Sequence, residues 1–182
     1  MRDTASSRRG GASARVIRMA AGVAMAAAAL CGPAGAQDGQ ARGKFGAWEL
    51  RCDTPPGASA EICLLAQDVS DSERPNVGLN IVFLQAPDDK GLLLRVVAPV
   101  GVLLPYGLRM AVDGKDFGKI PYLKCSVVGG RGCIAETLLQ PEIVEKLKTG
   151  KEAWFTIFHT PELGIAIPVA LAGLAEGLAK VK

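Results

Sequence analysis

Gly78-Leu79-Asn80-Ile81-Val82-Phe83-Leu84-Gln85-Ala86, then Pro87-Asp88-Asp89-Lys90-Gly91, then Leu92-Leu93-Leu94-Arg95-Val96-Val97-Ala98: two apolar runs of strand length stand either side of five turn-forming residues. Proline presets a turn dihedral, aspartate bonds its own backbone, and glycine accepts conformations closed to other residues. Apolar runs joined in this way read as a β-hairpin.

The same pattern extends in both directions. Upstream, Trp48, Leu50 and Cys52 point one way and Glu49 and Arg51 the other, and Ile62, Leu64 and Ala66 repeat the period of two. Residues 37–44 are polar and contain glycine, and read as a flexible N-terminus ahead of a single domain over 45–182. Downstream, Leu108 to Val112 meets Asp113-Gly114, a pair that favours the type I′ turn between twisted strands. Phe117 to Cys125 is the expected return strand, with Pro121 marking an edge or bulge. Cys133 to Thr137, Ala153 to His159 and Ile165 to Leu171 are further strands. One short helix is expected from Pro141 to Lys148, with proline first, acids early, lysines late and Gly150 beyond. The tail places Leu174, Leu178 and Val181 at helical spacing, as a core-packing stripe. About eight or nine short strands with one brief helix predict an all-β antiparallel sandwich.

The start of the chain is of another kind. Residues 1–18 hold five arginines against one acid, Asp3, and Met19 to Leu30 carry no charge. Gly32-Pro33 and Ala34-Gly35-Ala36 follow. A basic leader, an apolar stretch and an A-x-A site compose a secretory signal peptide, with cleavage expected after Ala36. Twelve apolar residues fall short of the roughly 20 that span a bilayer, so no transmembrane helix is expected after cleavage. Cys31 follows Leu30 rather than a small residue, against a lipid anchor. Arg8-Arg9 precedes glycines rather than apolar residues, against a twin-arginine signal.

Removing the leader changes the charge. The chain has 21 basic and 18 acidic residues, and the leader takes 5 and 1, leaving 16 and 17, a net −1. The basicity belongs to the leader, and no basic patch argues for nucleic acid.

Four cysteines remain: Cys52, Cys63, Cys125 and Cys133. An even number in an exported chain reads as disulfides, with three possible pairings. The local one, Cys52–Cys63 with Cys125–Cys133, is the natural choice, because Thr54-Pro55-Pro56-Gly57 and Gly129-Gly130-Arg131-Gly132 lie between the partners. Closing loops this short stabilises by about 2–3 kcal/mol apiece through the entropy of the unfolded chain. Zinc is disfavoured by the spacing and by the oxidising route.

No catalytic constellation emerges. His159, the single histidine, ends an apolar strand, and none of Ser59, Ser70, Ser72 and Ser126 sits in a nucleophile-elbow setting. Asp88-Asp89 and Asp113/Asp116 fall in turns, where aspartate serves the backbone. Asp113 to Asp116 lacks the length and distal glutamate of a calcium loop, and the Gly129–Gly132 run opens no helix for phosphate. No cofactor or metal is expected.

Ala98-Pro99-Val100-Gly101-Val102-Leu103-Leu104-Pro105-Tyr106-Gly107 is too broken for a central strand and too apolar for an ordinary loop. The ordinary reading is a buried connection that closes one end of the sandwich. The functional reading is an exposed contact loop, with Val102, Leu103, Leu104 and Tyr106 as candidate partner-binding residues.

Ordered blocks along the chain carry a resemblance. They are Phe45-Gly46-Ala47-Trp48-Glu49-Leu50-Arg51-Cys52 with Thr54-Pro55-Pro56-Gly57 and Cys63, and Arg95-Val96-Val97-Ala98-Pro99-Val100-Gly101-Val102-Leu103-Leu104-Pro105. Asp113-Gly114-Lys115, Cys125 with Gly132-Cys133, Leu147-Lys148-Thr149-Gly150-Lys151 and Phe158-His159-Thr160-Pro161 through Gly164-Ile165 to Pro168 complete them. The chain resembles the invasion-associated locus B family of exported bacterial proteins. The family usually carries an acid before the tryptophan, where Ala47 stands, and often an aromatic where Leu174 stands. The resemblance implies an immunoglobulin-like β-sandwich, periplasmic or associated with the outer membrane, with a link to host-cell entry in the family name. It implies no catalytic residue. The expected function is therefore a non-enzymatic envelope or periplasmic binding protein, with an envelope protein, a lipid or a host-surface component as partner. The alternative is a periplasmic hydrolase whose carboxylates lie apart in sequence.

Overall fold

The structure, a computed structural model, describes residues 40–127 and 132–181. The leader expected over 1–36 lies outside the described residues, as do Gly129, Gly130 and Arg131 of the second cysteine loop.

The strands are β1 (Gln40–Phe45), β2 (Trp48–Asp53), β3 (Ile62–Ser70), β4 (Gly78–Gln85), β5 (Leu92–Ala98), β6 (Leu108–Val112), β7 (Lys115–Ile120), β8 (Tyr122–Ser126), β9 (Gly132–Leu138), β10 (Glu152–Thr160) and β11 (Leu163–Ala170). The helices are α1 (Pro141–Thr149) and α2 (Leu174–Leu178). A seven-stranded sheet runs β1-β2-β3-β4-β5-β9-β8 and a four-stranded sheet β11-β10-β6-β7. Every pairing is antiparallel. The protein is an all-β sandwich.

Alternation builds the core. Trp48, Leu50, Leu65, Ile81, Phe83, Leu94 and Val96 turn inward from the larger sheet. Leu108, Met110, Val112, Phe155, Ile157, Ile167 and Val169 meet them from the smaller one in a single buried cluster. Burying a side chain of this kind contributes about 1.5–3 kcal/mol. Trp48, fully buried, packs on Phe83 with ring centroids 5.4 Å apart and donates its indole N–H to the Ala170 carbonyl at 3.1 Å. Leu147 of α1 and Leu174 of α2 are also fully buried in the cluster.

The cysteines join as the local pairing requires. Cys52 lies opposite Cys63 across β2 and β3, with Cα atoms 4.1 Å apart, and Cys125 opposite Cys133 across β8 and β9, at 4.0 Å.

Four expectations need correction. First, residues 37–44 are not a loose terminus throughout: from Gln40 they form β1, folded back on β2 by a two-residue turn at Gly46-Ala47. Backbone pairing holds this strand without an apolar face, and Arg42 reaches Glu61 at 2.8 Å. Second, Ile62, Leu64 and Ala66 do not supply the core face of β3. Cys63, which must meet the inward Cys52, sets the phase, so Cys63, Leu65 and Gln67 face inward and Ile62 is exposed. Third, the return strand from Phe117 to Cys125 is cut at Pro121, which lacks a ladder donor; β7 stays in the small sheet and β8 crosses to the large one. Fourth, the single helix expected is two, since the apolar stripe of the tail forms α2.

Candidate functional site

β10 organises one end of the small sheet. Ala153, Phe155 and Ile157 face the core, so Trp154, Thr156 and Phe158 face outward. The apolar loop from Pro99 to Gly107 is tied to the end of this strand by two bonds. The Leu103 N–H donates to the Phe158 carbonyl at 2.7 Å, and the His159 Nδ1–H donates to the Gly101 carbonyl at 3.2 Å. Pro105 then starts a 3₁₀ turn over Leu104–Tyr106, closed by the Tyr106 and Gly107 N–H groups on the Leu103 and Leu104 carbonyls, each at 3.1 Å. Gly107 takes φ 66°, and a Cβ there would stand 2.8 Å from the Ile120 carbonyl oxygen. Only glycine lets the loop close on β7.

This folding lays the Tyr106 ring on Phe158, centroids 5.5 Å apart and planes tilted by 47°. A cleft of about 600 Å³ opens beside them. Tyr106, Phe158, Pro105 and Pro161 give it apolar walls, and Arg109, Gly118 and Lys119 complete its lining.

The cations are placed by register. The Asp113-Gly114 turn pairs Val112 with Lys115 and Ala111 with Asp116. Continued without a break, that register would set Lys119 opposite Leu108, facing the core. Instead Met110 opposes both Phe117 and Gly118, a bulge that shifts the strand by one residue. Ile120 is thereby buried opposite Leu108, and Lys119 comes to lie on the outer face directly opposite Arg109. Asp116 accepts the Gly118 N–H at 2.7 Å and forms an ion pair with Arg109. The Gly118 amide, and Arg109 after it, hold the Asp116 carboxyl below its usual pKa. The Lys119 ammonium donates to the Pro105 carbonyl at 3.3 Å.

The structure divides the candidate contact residues. Val102 is only 7% exposed and belongs to the core, so it is unavailable for contact. Leu103 is half-buried, and its backbone anchors the loop. Leu104 and Tyr106 are exposed, at 52% and 41%, and Tyr106 alone of the four lines the cleft. Arg109, Lys119, Phe158 and Pro161 were not legible as site residues. Arg109 and Lys119 are neighbours through a bulge, and Phe158 stands far from Tyr106 along the chain. The Pro161 turn was the available signal, since it follows an outward aromatic at a strand end.

The remaining candidates serve structure. Asp88 and Asp89 hold left-handed turn conformations at φ 59° and 52°. Asp113 accepts the backbone N–H groups of Lys151 and Glu152 and so pins the start of β10 to the hairpin. Among the described residues, one group of metal-ligating type converges, Cys52, Glu61 and Cys63, and its two sulfurs are bonded to each other. No helix among the described residues is long and apolar enough to cross a membrane. Two formed disulfides mark a chain that folds outside the reducing cytoplasm.

Among curated proteins no match is found. Among solved structures the chain is similar to the crystal structure of invasion associated protein B from Bartonella henselae. The TM-score is 0.59 at 18% identity, covering 76% of this chain and 93% of that one. A likeness at this identity speaks for the sandwich fold. The sequence profile of the invasion associated locus B (IalB) protein matches residues 48–182. The match takes in both cysteine pairs, the apolar loop and β10, and on it this chain belongs to the invasion-associated locus B family.

Proposed function

We propose that the protein is a non-enzymatic, exported component of the cell envelope, acting in the periplasm, that works by holding a partner in the cleft beside Tyr106. One observation carries the reading: the cleft brings together exposed rings, prolines and cations, and its lining holds no nucleophile with a base beside it among the described residues. His159, the one imidazole, has its Nδ1 engaged by the Gly101 carbonyl. Rings backed by a rigid loop suit contact, because little side-chain freedom is lost on binding. The basic, apolar and A-x-A segments of residues 1–36 support export. A role in host-cell interaction, as the name of the Bartonella protein suggests for that protein, is a narrower form of the same reading.

The test is affinity capture from envelope extract with the mature chain, Gln37 to Lys182, beside a Tyr106→Ser variant of equal thermal stability. Binding requires a partner retained by the first and lost by the second. Identical captures, or turnover of an ester, peptide or glycoside by the purified protein, would favour the hydrolase reading. Mass spectrometry of the exported protein should give Gln37 as its first residue.

A further inference from the structure

We infer that the cleft takes a peptide segment in which a carboxylate side chain stands next to an aromatic residue or a proline. The inference rests on the binding role proposed above and names the chemistry of the partner. The lining carries two cations, Arg109 and Lys119, and no carboxylate among the described residues. Like charges directly opposite each other on one face of a sheet are unfavourable. Asp116 answers only Arg109; the Lys119 ammonium rests against a neutral carbonyl. Lysine on an edge strand often serves to block pairing with other chains. That accounts for lysine on β7, but not for Arg109 on β6, which is an interior strand of its sheet. A carboxylate set between the two cations relieves their repulsion and gains charge-assisted hydrogen bonds.

The walls choose the rest of the ligand. Tyr106 and Phe158 present flat aromatic rings, beside the apolar ring faces of Pro105 and Pro161, and such surfaces pack on aromatic rings and prolines. Proline-bearing segments dock in grooves of this kind in an extended form that is already ordered. A sugar needs acceptors as well as donors, and the carboxylate of Asp116, beside the lining residue Gly118, is taken by Arg109 and the Gly118 amide. A long acyl chain needs an enclosed channel, whereas these walls stand at the surface, with Tyr106 41% exposed. Some 600 Å³ is room for a few residues of an extended chain.

The experiment titrates the isotopically labelled mature protein with acetyl-Glu-Phe-Pro-Glu-Phe-amide and follows backbone amide shifts. Saturable shifts are expected at Tyr106, Arg109, Gly118 and Lys119. Replacing both glutamates of the peptide by glutamine, or Lys119 by glutamine in the protein, should weaken binding about fivefold or more. Added salt should weaken the wild-type complex more than the Lys119→Gln complex, which keeps only Arg109. Dodecanoate and glucuronate, titrated alongside, should bind more weakly than the acidic peptide. Shifts elsewhere on the molecule, no saturation, equal affinity for the glutamine peptide, or preference for dodecanoate or glucuronate would each overturn the inference. A protein that captures a Tyr106-dependent partner from envelope extract yet fails this titration keeps its binding role and loses the acidic-peptide assignment. Failure of both removes the binding role itself.

Discussion

Trp48 on the seven-stranded sheet donates its indole N–H to the carbonyl of Ala170 on the four-stranded sheet, 3.1 Å away and 122 residues later. One side chain thus joins the two layers while its ring fills the space beside Phe83. Trp48→Phe keeps an aromatic ring but loses the donor and part of the volume. A loss of about 2–3 kcal/mol is expected in urea unfolding. A loss under about 1 kcal/mol would mean that the bond and the packing contribute little.

Gly57 and Gly173 share a φ of 86°, but their surroundings differ. A Cβ at Gly57 meets nothing within 4 Å, whereas one at Gly173 lies 2.4 Å from the Phe45 carbonyl oxygen. Gly57→Ala should therefore cost only the conformational penalty, about 1–2 kcal/mol. Gly173→Ala adds a backbone clash and should cost clearly more, about 3 kcal/mol or above. Thermal melts of the two variants separate the terms; equal shifts would show that the β1–β2 turn moves aside freely.

The apolar loop makes a second contrast. Val102→Ser removes a buried side chain and buries a hydroxyl, and should cost about 2–3 kcal/mol. Leu104→Ser alters a half-exposed side chain and should stay within about 0.5 kcal/mol. Chemical denaturation of both variants is the check, and a strongly destabilised Leu104→Ser would return the whole loop to the core.

Tyr122 has its hydroxyl buried without a partner among the described residues, and burial pushes the phenol up to about 12. The folded pKa lies above the unfolded value near 10, so the fold favours the neutral phenol. That contribution is whole below about pH 10 and is lost as pH rises from about 10 towards 12. Tyr122→Phe should flatten this part of the stability profile and leave the neutral-pH melting temperature unchanged or slightly raised. An equally steep alkaline decline in the variant would assign the effect to other groups.

Cys125 is exposed, whereas Cys52, Cys63 and Cys133 are buried. Mild reductant should open Cys125–Cys133 before Cys52–Cys63, because exchange requires access of a thiolate to a sulfur. Timed alkylation and peptide mapping give the order, and simultaneous opening would show that exposure at Cys125 does not govern access.

Where apolar runs were bounded by strong turn or cap signals, the sequence was readable. The β4–β5 hairpin, the β6–β7 turn and helix α1 fall where composition places them. The reading failed at β3 because both faces are apolar: Leu64 and Ala66 share one face, where Ala66 is itself buried, Cys63 and Leu65 the other, and alternation has no preferred phase. The cysteine pair held the missing information, since Cys63 has to face Cys52. β1 was missed because its pairing resides in backbone bonds, which leave no hydrophobic trace. Of the site, Tyr106 was legible as an exposed ring in a stiff apolar loop. The cations were not, because a one-residue bulge decides whether Lys119 faces the core or the cleft, and residue type does not announce a bulge.

The β1–β2 turn rests on the backbone of Ala172 and Gly173, and Gly177 of α2 packs on Leu65. Contacts between segments more than a hundred residues apart close long loops and carry a large entropic cost. Until residues 170–178 have arrived, Trp48 lacks its acceptor and Leu65 its cover. Residues 170–178 thus work as a latch: β2 and β3 are sealed only when this distant segment docks on them.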